Sequence, residues 1–189
     1  MKIIHCSDLH LDADLRTKYD AASAAERRAE LLDTFRRLCR YAREEAVSAV
    51  LICGDLFDTA SPSSSAVRTV EDLIIANNDL LFFYLRGNHD ERPALFRTRR
   101  GPENLCLFGD DWTTWELSED RDQGRRICIT GREPSNAVLT SPELDPSCIN
   151  IVMLHGQVRD MPDEELENLA VGALRLAVQE GYSVNWEPT

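Results

Sequence analysis

The sequence predicts a layered α/β fold, with a largely parallel central sheet, a mixed second half and helices on the outer faces. Strand-like and helix-like segments alternate from Lys2 to Leu85, and the strand-like ones are nearly continuous apolar runs, as in parallel sheets that are buried on both sides. Later strand-like segments follow one another across turns that contain Gly and Asp, which indicates a meander. We expect a single domain over residues 1–189.

The first half is predicted to contain three strands and two helices. Apolar residues such as Leu31, Phe35 and Leu38 recur at helical spacing, and arginines interleaved with acids fill the other positions, which indicates a long amphipathic helix with a solvated face. In chain order the predicted segments are a strand at Lys2–Cys6, a helix at Ala24–Ala46, a strand at Val47–Cys53, a helix at Val67–Ala76 and a strand at Leu80–Leu85.

The second half is predicted to be richer in short strands. Acids in the first turn and a glycine after the last apolar position indicate one more helix near the C-terminus, over Asp163–Glu180. The predicted strands are Leu105–Phe108, Trp112–Leu117, Arg126–Thr130 and Ile149–Leu154.

The composition is that of an ordinary globular protein, with 43% hydrophobic and 29% charged residues. The formal net charge is −12, which is opposite to the basic surface of a protein held on nucleic acid by its own charge. No apolar run reaches the roughly 18 residues of a membrane span, and the N-terminus lacks a secretory pattern, so we expect a cytoplasmic protein without membrane contact. The six cysteines are scattered singly and are expected to be free thiols.

Polar side chains with metal-ligand chemistry follow four of the predicted strands. Ligands of open α/β sheets bind outside the carboxyl ends of the strands, so these side chains are expected to converge. Nearby glycines fit loops that crowd together. In chain order the residues are Asp8 and His10 in SDLH, Asp55 and Asp58 in GDLFD, Asn88 and His89 in GNHD, and His155 in LHG.

Carboxylate, imidazole and amide oxygen together suit a hard or borderline divalent ion such as Mn²⁺, Fe²⁺ or Zn²⁺. Each motif alone has a simpler interpretation, because a lone DxH is often a cap and GNHD can be a hydrogen-bonded turn. Three of the four histidines nevertheless fall at strand ends, in a long and specific order of motifs. The sequence therefore favours a metal site.

The order SDLHLD, GDLFD, GNHD and LHG resembles the calcineurin-like metallophosphoesterase superfamily, and IIHCSDLHLD with ICGDLFD is similar to its SbcD-type branch, the bacterial nuclease subunit of DNA double-strand-break repair. The resemblance implies that Asp8 and His10 bind a first metal, that Asp55 bridges two metals, and that Asn88 and His155 bind the second. It also implies that His89 faces the substrate and steadies or protonates the leaving oxygen, with Asp58 orienting its imidazole.

The function implied by the resemblance is hydrolysis of DNA phosphodiester bonds by an exonuclease-like enzyme. Its cofactors would be two divalent ions, Mn²⁺ first, with Fe²⁺, Zn²⁺ or Mg²⁺ as alternatives, and its partner an SbcC-type coiled-coil ATPase. Alternatives are a phosphomonoesterase or cyclic-nucleotide phosphodiesterase of the same fold, since a fold does not fix a substrate, or a catalytically impaired binding module.

The chain departs from the superfamily pattern after its last strand. Members carry a GHxH motif there, whereas this chain has no histidine after His155 and lacks the later strands and capping region. A truncated or frameshifted product, a shortened fragment and a divergent module that has lost catalysis are the competing explanations. An unpaired sheet edge would then be expected, with a homodimer through that edge as a hypothesis.

Arginines surround the GNHD motif. They could guide a phosphate backbone through bidentate contacts, or form a solvated loop. The candidates for substrate binding are Arg86, Arg92 and Arg97, with Arg99 and Arg100 nearby.

Overall fold

The computed structural model describes residues 1–90, 94–97, 100–117, 126–133 and 141–155. All of the strands predicted from the sequence, and the first two helices, are present with small shifts in their ends. The predicted helix over Asp163–Glu180, and with it the extent of the single predicted domain, lies outside the described residues. The elements are β1 (Ile3–Cys6), a 3₁₀ turn (Leu15–Thr17), α1 (Ala21–Glu44), β2 (Ala49–Cys53), α2 (Ser64–Ala76), β3 (Leu81–Leu85), β4 (Leu105–Leu107), β5 (Thr113–Leu117), β6 (Ile127–Gly131) and β7 (Ile149–Met153).

The strands form two sheets. The first is parallel throughout in the order β1-β2-β3-β4, and α1 and α2 form the crossover connections between its first three strands. The second has the order β5-β6-β7, with β5 antiparallel and β7 parallel to β6. The prediction of an α/β fold with a parallel first half and a mixed second half is confirmed. The prediction of a meander for the later strands is wrong, because β4 joins the first sheet and β7 runs parallel to β6.

Successive residues of the central strands serve two cores. On β2, Val50 and Ile52 belong to the apolar cluster formed with α1 and α2, whereas Leu51 and Cys53 pack with residues of the second sheet. All five residues of β2 are buried, which explains its continuous apolar sequence. In the described residues, both helices therefore cover one face of the parallel sheet and the second sheet covers the other.

Side chains at the helix starts fix the loops that lead to them. Asp20 caps α1 through the Ser23 N–H, and Ser63 caps α2 through the Ala66 N–H. The Ser63 N–H in turn donates to Asp12 Oδ2 at 2.7 Å, which ties the loop after β1 to the start of α2. Among the described residues, no helix combines the length and apolar composition that a membrane span requires.

The six cysteines are free, as predicted. Burial raises the pKa of Cys39 and of Cys53 to about 12, so these thiols stay protonated at neutral pH. They act as small apolar side chains of the core.

Candidate metal centre

The polar residues predicted to converge lie at the carboxyl ends of β1, β2, β3 and β7. Backbone in the left-handed region is concentrated here, at Asp8 (φ 54°), His10 (φ 45°), Asp12 (φ 61°) and Asp55 (φ 50°). Non-glycine residues adopt this conformation rarely and at a cost in free energy, and such positions cluster at functional sites.

The loops after β1 and β2 remain hydrogen-bonded beyond the regular strands. The Asp8 N–H donates to Gly54 O at 3.2 Å, and the His10 N–H donates to Asp55 O at 3.0 Å. These bonds bring the side chains of the DxH motif beside Asp55. Side-chain ligand atoms of Asp8, His10 and Asp55 all lie within 4.8 Å of one another, which is the spacing of a metal-ligand group.

Asp55 is the centre of the cluster and is only 3% exposed. Its Oδ1 accepts a hydrogen bond from the His89 N–H at 2.9 Å, and its Oδ2 lies 3.3 Å from His155 Nε2. One buried carboxylate therefore contacts residues from the loops after β3 and β7 while it also belongs to the group with Asp8 and His10.

His155 reaches this centre from the second sheet, and its ring orientation is fixed. Its Nδ1 lies 2.9 Å from Cys53 O, and because a carbonyl can only accept, Nδ1 carries the proton. In the neutral ring the lone pair is then on Nε2, which lies 3.2 Å from Asn88 Oδ1 and 3.3 Å from Asp55 Oδ2. The imidazole nitrogen of His155 and the side-chain oxygens of Asn88 and Asp55 thus lie together, and this donor set suits a divalent ion.

Two glycines permit the close approach of these loops. A Cβ on Gly54 would lie 2.2 Å from the His155 ring, and Gly54 itself has a φ of 83°. A Cβ on Gly87 would lie 2.1 Å from Asp55 Oδ1. Any larger residue at either position would displace a candidate ligand.

The family of the chain follows from a comparison of its sequence with family models. Residues 1–179 match the model of the calcineurin-like phosphoesterases. The chain belongs to this family. A stretch of 98 residues is also 33% identical to the SbcD component of the SbcCD nuclease of Staphylococcus saprophyticus subsp. saprophyticus. That alignment covers 50% of the chain and 24% of the relative, and with it the predicted resemblance to the SbcD-type branch is confirmed.

In this phosphoesterase, His89 is held by the loop after β2. Its Nδ1 donates to the backbone carbonyl of Asp58 at 3.2 Å, whereas the Asp58 carboxylate is 3.7 Å from that nitrogen and only 2.9 Å from His10 Nδ1. The hydrogen bond to the Asp58 carbonyl, with smaller contributions from nearby carboxylates, raises the pKa of His89. Asp58 thus contacts His89 chiefly through its main chain, and the side chains of His10, Asp58 and His89 form a second group with metal-ligand spacing.

Asp90 is a site residue to which the sequence assigned no role. It is 1% exposed, and its carboxylate accepts from the Gly87 N–H at 2.6 Å, from the Leu56 N–H at 3.1 Å and from the Tyr84 hydroxyl. These bonds connect the loop that carries Asp55 to the loop that carries His89. The available sequence signal was an acid directly after the histidine of GNHD.

The three arginines proposed for substrate binding have different surroundings. Arg86 makes a two-point ion pair with Glu133, with Nε 2.7 Å from Oε1 and the second contact between Nη2 and Oε2. This pair joins the end of β3 in the first sheet to the segment after β6 in the second. Arg97 is exposed, and Arg92 lies outside the described residues.

Replacing Glu133 with alanine is expected to lower the free energy of unfolding by about 2 to 3 kcal/mol, because the change leaves Arg86, which is 22% exposed, without its buried partner. Urea denaturation measures this change. The control is Glu45→Ala, which breaks the exposed pair with Lys2 and is expected to leave the free energy of unfolding nearly unchanged, because solvent screens that pair. Equal losses in the two variants would contradict a structural role for the Arg86–Glu133 pair.

Proposed function

We propose that the chain is a metal-dependent phosphodiesterase that hydrolyses DNA at a site for two divalent ions. The observation that carries the proposal is the convergence of Asp55, Asn88 and His155, because both side-chain oxygens lie within 3.3 Å of His155 Nε2 and the three groups together suit a divalent cation. Family membership supports phosphoester chemistry, and the similarity to a protein named as part of a nuclease supports a nucleic-acid substrate. Mn²⁺ is the ion we favour, with Fe²⁺, Zn²⁺ and Mg²⁺ as alternatives.

The candidate ligands divide into two groups that share Asp55. Asp8 and His10 form one group with it, and Asn88 and His155 form the other. Divalent ions bound there would supply positive charge to a phosphodiester and would make water a stronger acid. This charge also explains how a chain with a net charge of −12 can attract an anionic substrate.

His89 is the residue that we propose as the general acid. Because its Nδ1–H donates to the Asp58 carbonyl, its Nε2 is left to carry the proton that moves to the leaving oxygen. The raised pKa of His89 increases the protonated fraction of the ring at neutral pH. Asp58 is then a positioning residue for His89, through its carbonyl, and a neighbour of His10 through its carboxylate.

Replacing His89 with asparagine is expected to lower kcat on an oligonucleotide about 100-fold, because the alkoxide leaving group needs a proton. The loss on bis(p-nitrophenyl) phosphate should be several-fold smaller, since p-nitrophenolate leaves without one. The control variant is His5→Asn, at an exposed position on β1. Equal losses on both substrates would mean that His89 does not act as a general acid.

The experiment that tests the proposed function is a hydrolysis assay on the whole chain with Mn²⁺. The substrates are single-stranded and duplex DNA, bis(p-nitrophenyl) phosphate and p-nitrophenyl phosphate. We expect cleavage of DNA and of the bis-ester, and loss of both with EDTA. Hydrolysis of the mono-ester alone would indicate a phosphomonoesterase, and metal binding without hydrolysis of any substrate would indicate a binding module.

The biological setting is part of the same proposal. An SbcC-type ATPase is the partner suggested by the name of the relative, of which the alignment covers 24%. A cytoplasmic location and a homodimer stay predictions.

A further inference from the structure

A cleft of about 550 Å³ opens between the start of α2 and the loop after β3. Its polar walls come from both elements, and small apolar residues line the space between them. The lining includes Ser61, Ser64, Arg68, Glu71, Ala94 and Arg97.

The cleft is built on the same loops as the metal centre. Ser61 follows Asp58 on the loop after β2, and Ala94 lies on the loop that begins with the GNHD motif. The bond from the Ser63 N–H to Asp12 Oδ2 also fixes the start of α2 against the loop after β1. A nucleic-acid single strand with one phosphodiester at the metal centre could therefore follow these loops into the cleft.

Two arginines from different elements line the cleft. Arg68 lies on α2, Arg97 lies on the loop after β3, and both are exposed. Neither makes an ion pair with a carboxylate in the part of the chain that the structure describes. In a chain with a net charge of −12, two such guanidinium groups in one cleft form a local binding site for anions.

The segment that carries Arg97 is anchored to α2. The Phe96 N–H donates to Glu71 Oε1, and Leu95 is buried in the core with the apolar face of α2. Glu71, the carboxylate that lines the cleft, is thus engaged by the backbone beside Arg97. The two arginines therefore start from fixed positions on the two sides of the cleft.

We propose that this cleft binds the phosphodiester backbone of a nucleic-acid single strand beside the scissile phosphate, with Arg68 and Arg97 as its phosphate ligands. A guanidinium group makes two-point contacts with a phosphate, and the hydroxyls of Ser61 and Ser64 add further donors. The small apolar residues that line the cleft leave room for sugars. This inference rests on the proposed function of the metal centre, because that function supplies the neighbouring scissile phosphate.

Binding of a labelled single strand tests the inference. The probe is a fluorescein-labelled oligonucleotide with phosphorothioate linkages, which resists cleavage, added to the whole chain with Mn²⁺ over a series of salt concentrations. The double variant Arg68→Ala/Arg97→Ala is expected to bind about tenfold more weakly, and its salt dependence should fall by about 1.4 in slope for two lost phosphate contacts. The control is Arg36→Ala/Arg40→Ala, which removes the same charge from the exposed face of α1.

Equal affinity and slope in the double variant and its control would overturn the inference, as would the absence of any binding by the unaltered chain. Hydrolysis of bis(p-nitrophenyl) phosphate, which has no neighbouring phosphates, tests the proposed function separately. If the unaltered chain hydrolyses this ester while the two double variants bind the probe equally, the cleft is wrong and the proposed function stands. If it hydrolyses nothing while the Arg68/Arg97 variant alone binds weakly, the cleft binds a single strand without a scissile phosphate beside it, and the proposed function is wrong.

Discussion

Replacing Asp55 with asparagine is expected to abolish tight Mn²⁺ binding and to lower phosphodiesterase activity by about 10³-fold or more, equivalent to about 4 kcal/mol of transition-state stabilisation. Asp55 is the buried carboxylate common to both groups of candidate ligands. A neutral amide oxygen is a weaker ligand than a carboxylate, and the substitution removes the negative charge that would balance the two proposed cations.

The asparagine variant is expected to fold normally, so that its defect reports on metal binding. An amide oxygen in the place of Oδ1 still accepts from the His89 N–H, and an amide nitrogen in the place of Oδ2 can donate to His155 Nε2. Thermal denaturation with and without Mn²⁺ checks this expectation. The unaltered chain should gain about 2.7 kcal/mol when the ion is present at 100 times its dissociation constant, and the variant should gain none.

Asp79→Asn is the matched control for this experiment. Asp79 is exposed in the turn between α2 and β3. This turn lies at the amino ends of the parallel strands, whereas the metal centre lies at their carboxyl ends. This variant should keep both the stabilisation by Mn²⁺ and the hydrolysis of DNA. If Asp55→Asn behaved in the same way as Asp79→Asn, Asp55 would not be a metal ligand.

The convergence of the candidate ligands could be predicted because it depends on local patterns. Apolar runs identify β1, β2 and β3, and parallel strands present their carboxyl ends at one edge. The motif residues that follow them therefore meet, and Asp8, Asp55 and Asn88 needed no knowledge of the second sheet. The left-handed backbone at Asp8 and Asp55 has no such signal in the sequence. Aspartate adopts this conformation only where the surrounding contacts offset its cost in free energy.

The sequence predicted that His155 converges with the other candidate ligands, but not that it comes from a second sheet. Long-range packing decides that β7 pairs with β6 rather than with the parallel sheet, and no local pattern shows it. The partner of Arg86 is Glu133, 47 residues away in sequence, and no periodicity relates the two positions. The contact from Asp58 to His89 uses a backbone carbonyl, which every residue type possesses, so residue identity gives no signal for it.

Replacing Asp90 with alanine is expected to lower the free energy of unfolding by about 4 kcal/mol. The change leaves three buried donors without their acceptor, namely the N–H groups of Leu56 and Gly87 and the hydroxyl of Tyr84. Each unpaired donor costs about 1 to 3 kcal/mol. The total for the three donors is smaller than the sum of these costs, because the surrounding structure relaxes or water enters the space left by the carboxylate. Urea denaturation of the metal-free protein measures this loss without any contribution from metal binding.

Asp90→Asn and Tyr84→Phe separate the contributions within this network. Asparagine keeps one acceptor oxygen but turns an NH₂ group toward buried donors. We therefore expect the free energy of unfolding of Asp90→Asn to lie between those of Asp90→Ala and the unaltered chain. Tyr84→Phe removes one donor and should cost about 1 kcal/mol. In a double-mutant cycle the two changes should be less than additive, because the Asp90 and Tyr84 side chains share a hydrogen bond.

The effect of Asp90 should extend to the metal centre, because it holds Leu56 and Gly87 on either side of Asp55. A Cβ on Gly87 would lie 2.1 Å from Asp55 Oδ1. This glycine must therefore keep its position for the Asp55 carboxylate to stay beside the other candidate ligands. Asp90→Asn should therefore weaken Mn²⁺ affinity about tenfold even under conditions where the variant is fully folded, in line with residues that support metal ligands elsewhere. Unchanged Mn²⁺ affinity in the folded Asp90→Asn variant would restrict Asp90 to stability, and the loops after β2 and β3 would then be held together at the metal centre by bonds such as those from His89 to Asp55 and to the Asp58 carbonyl.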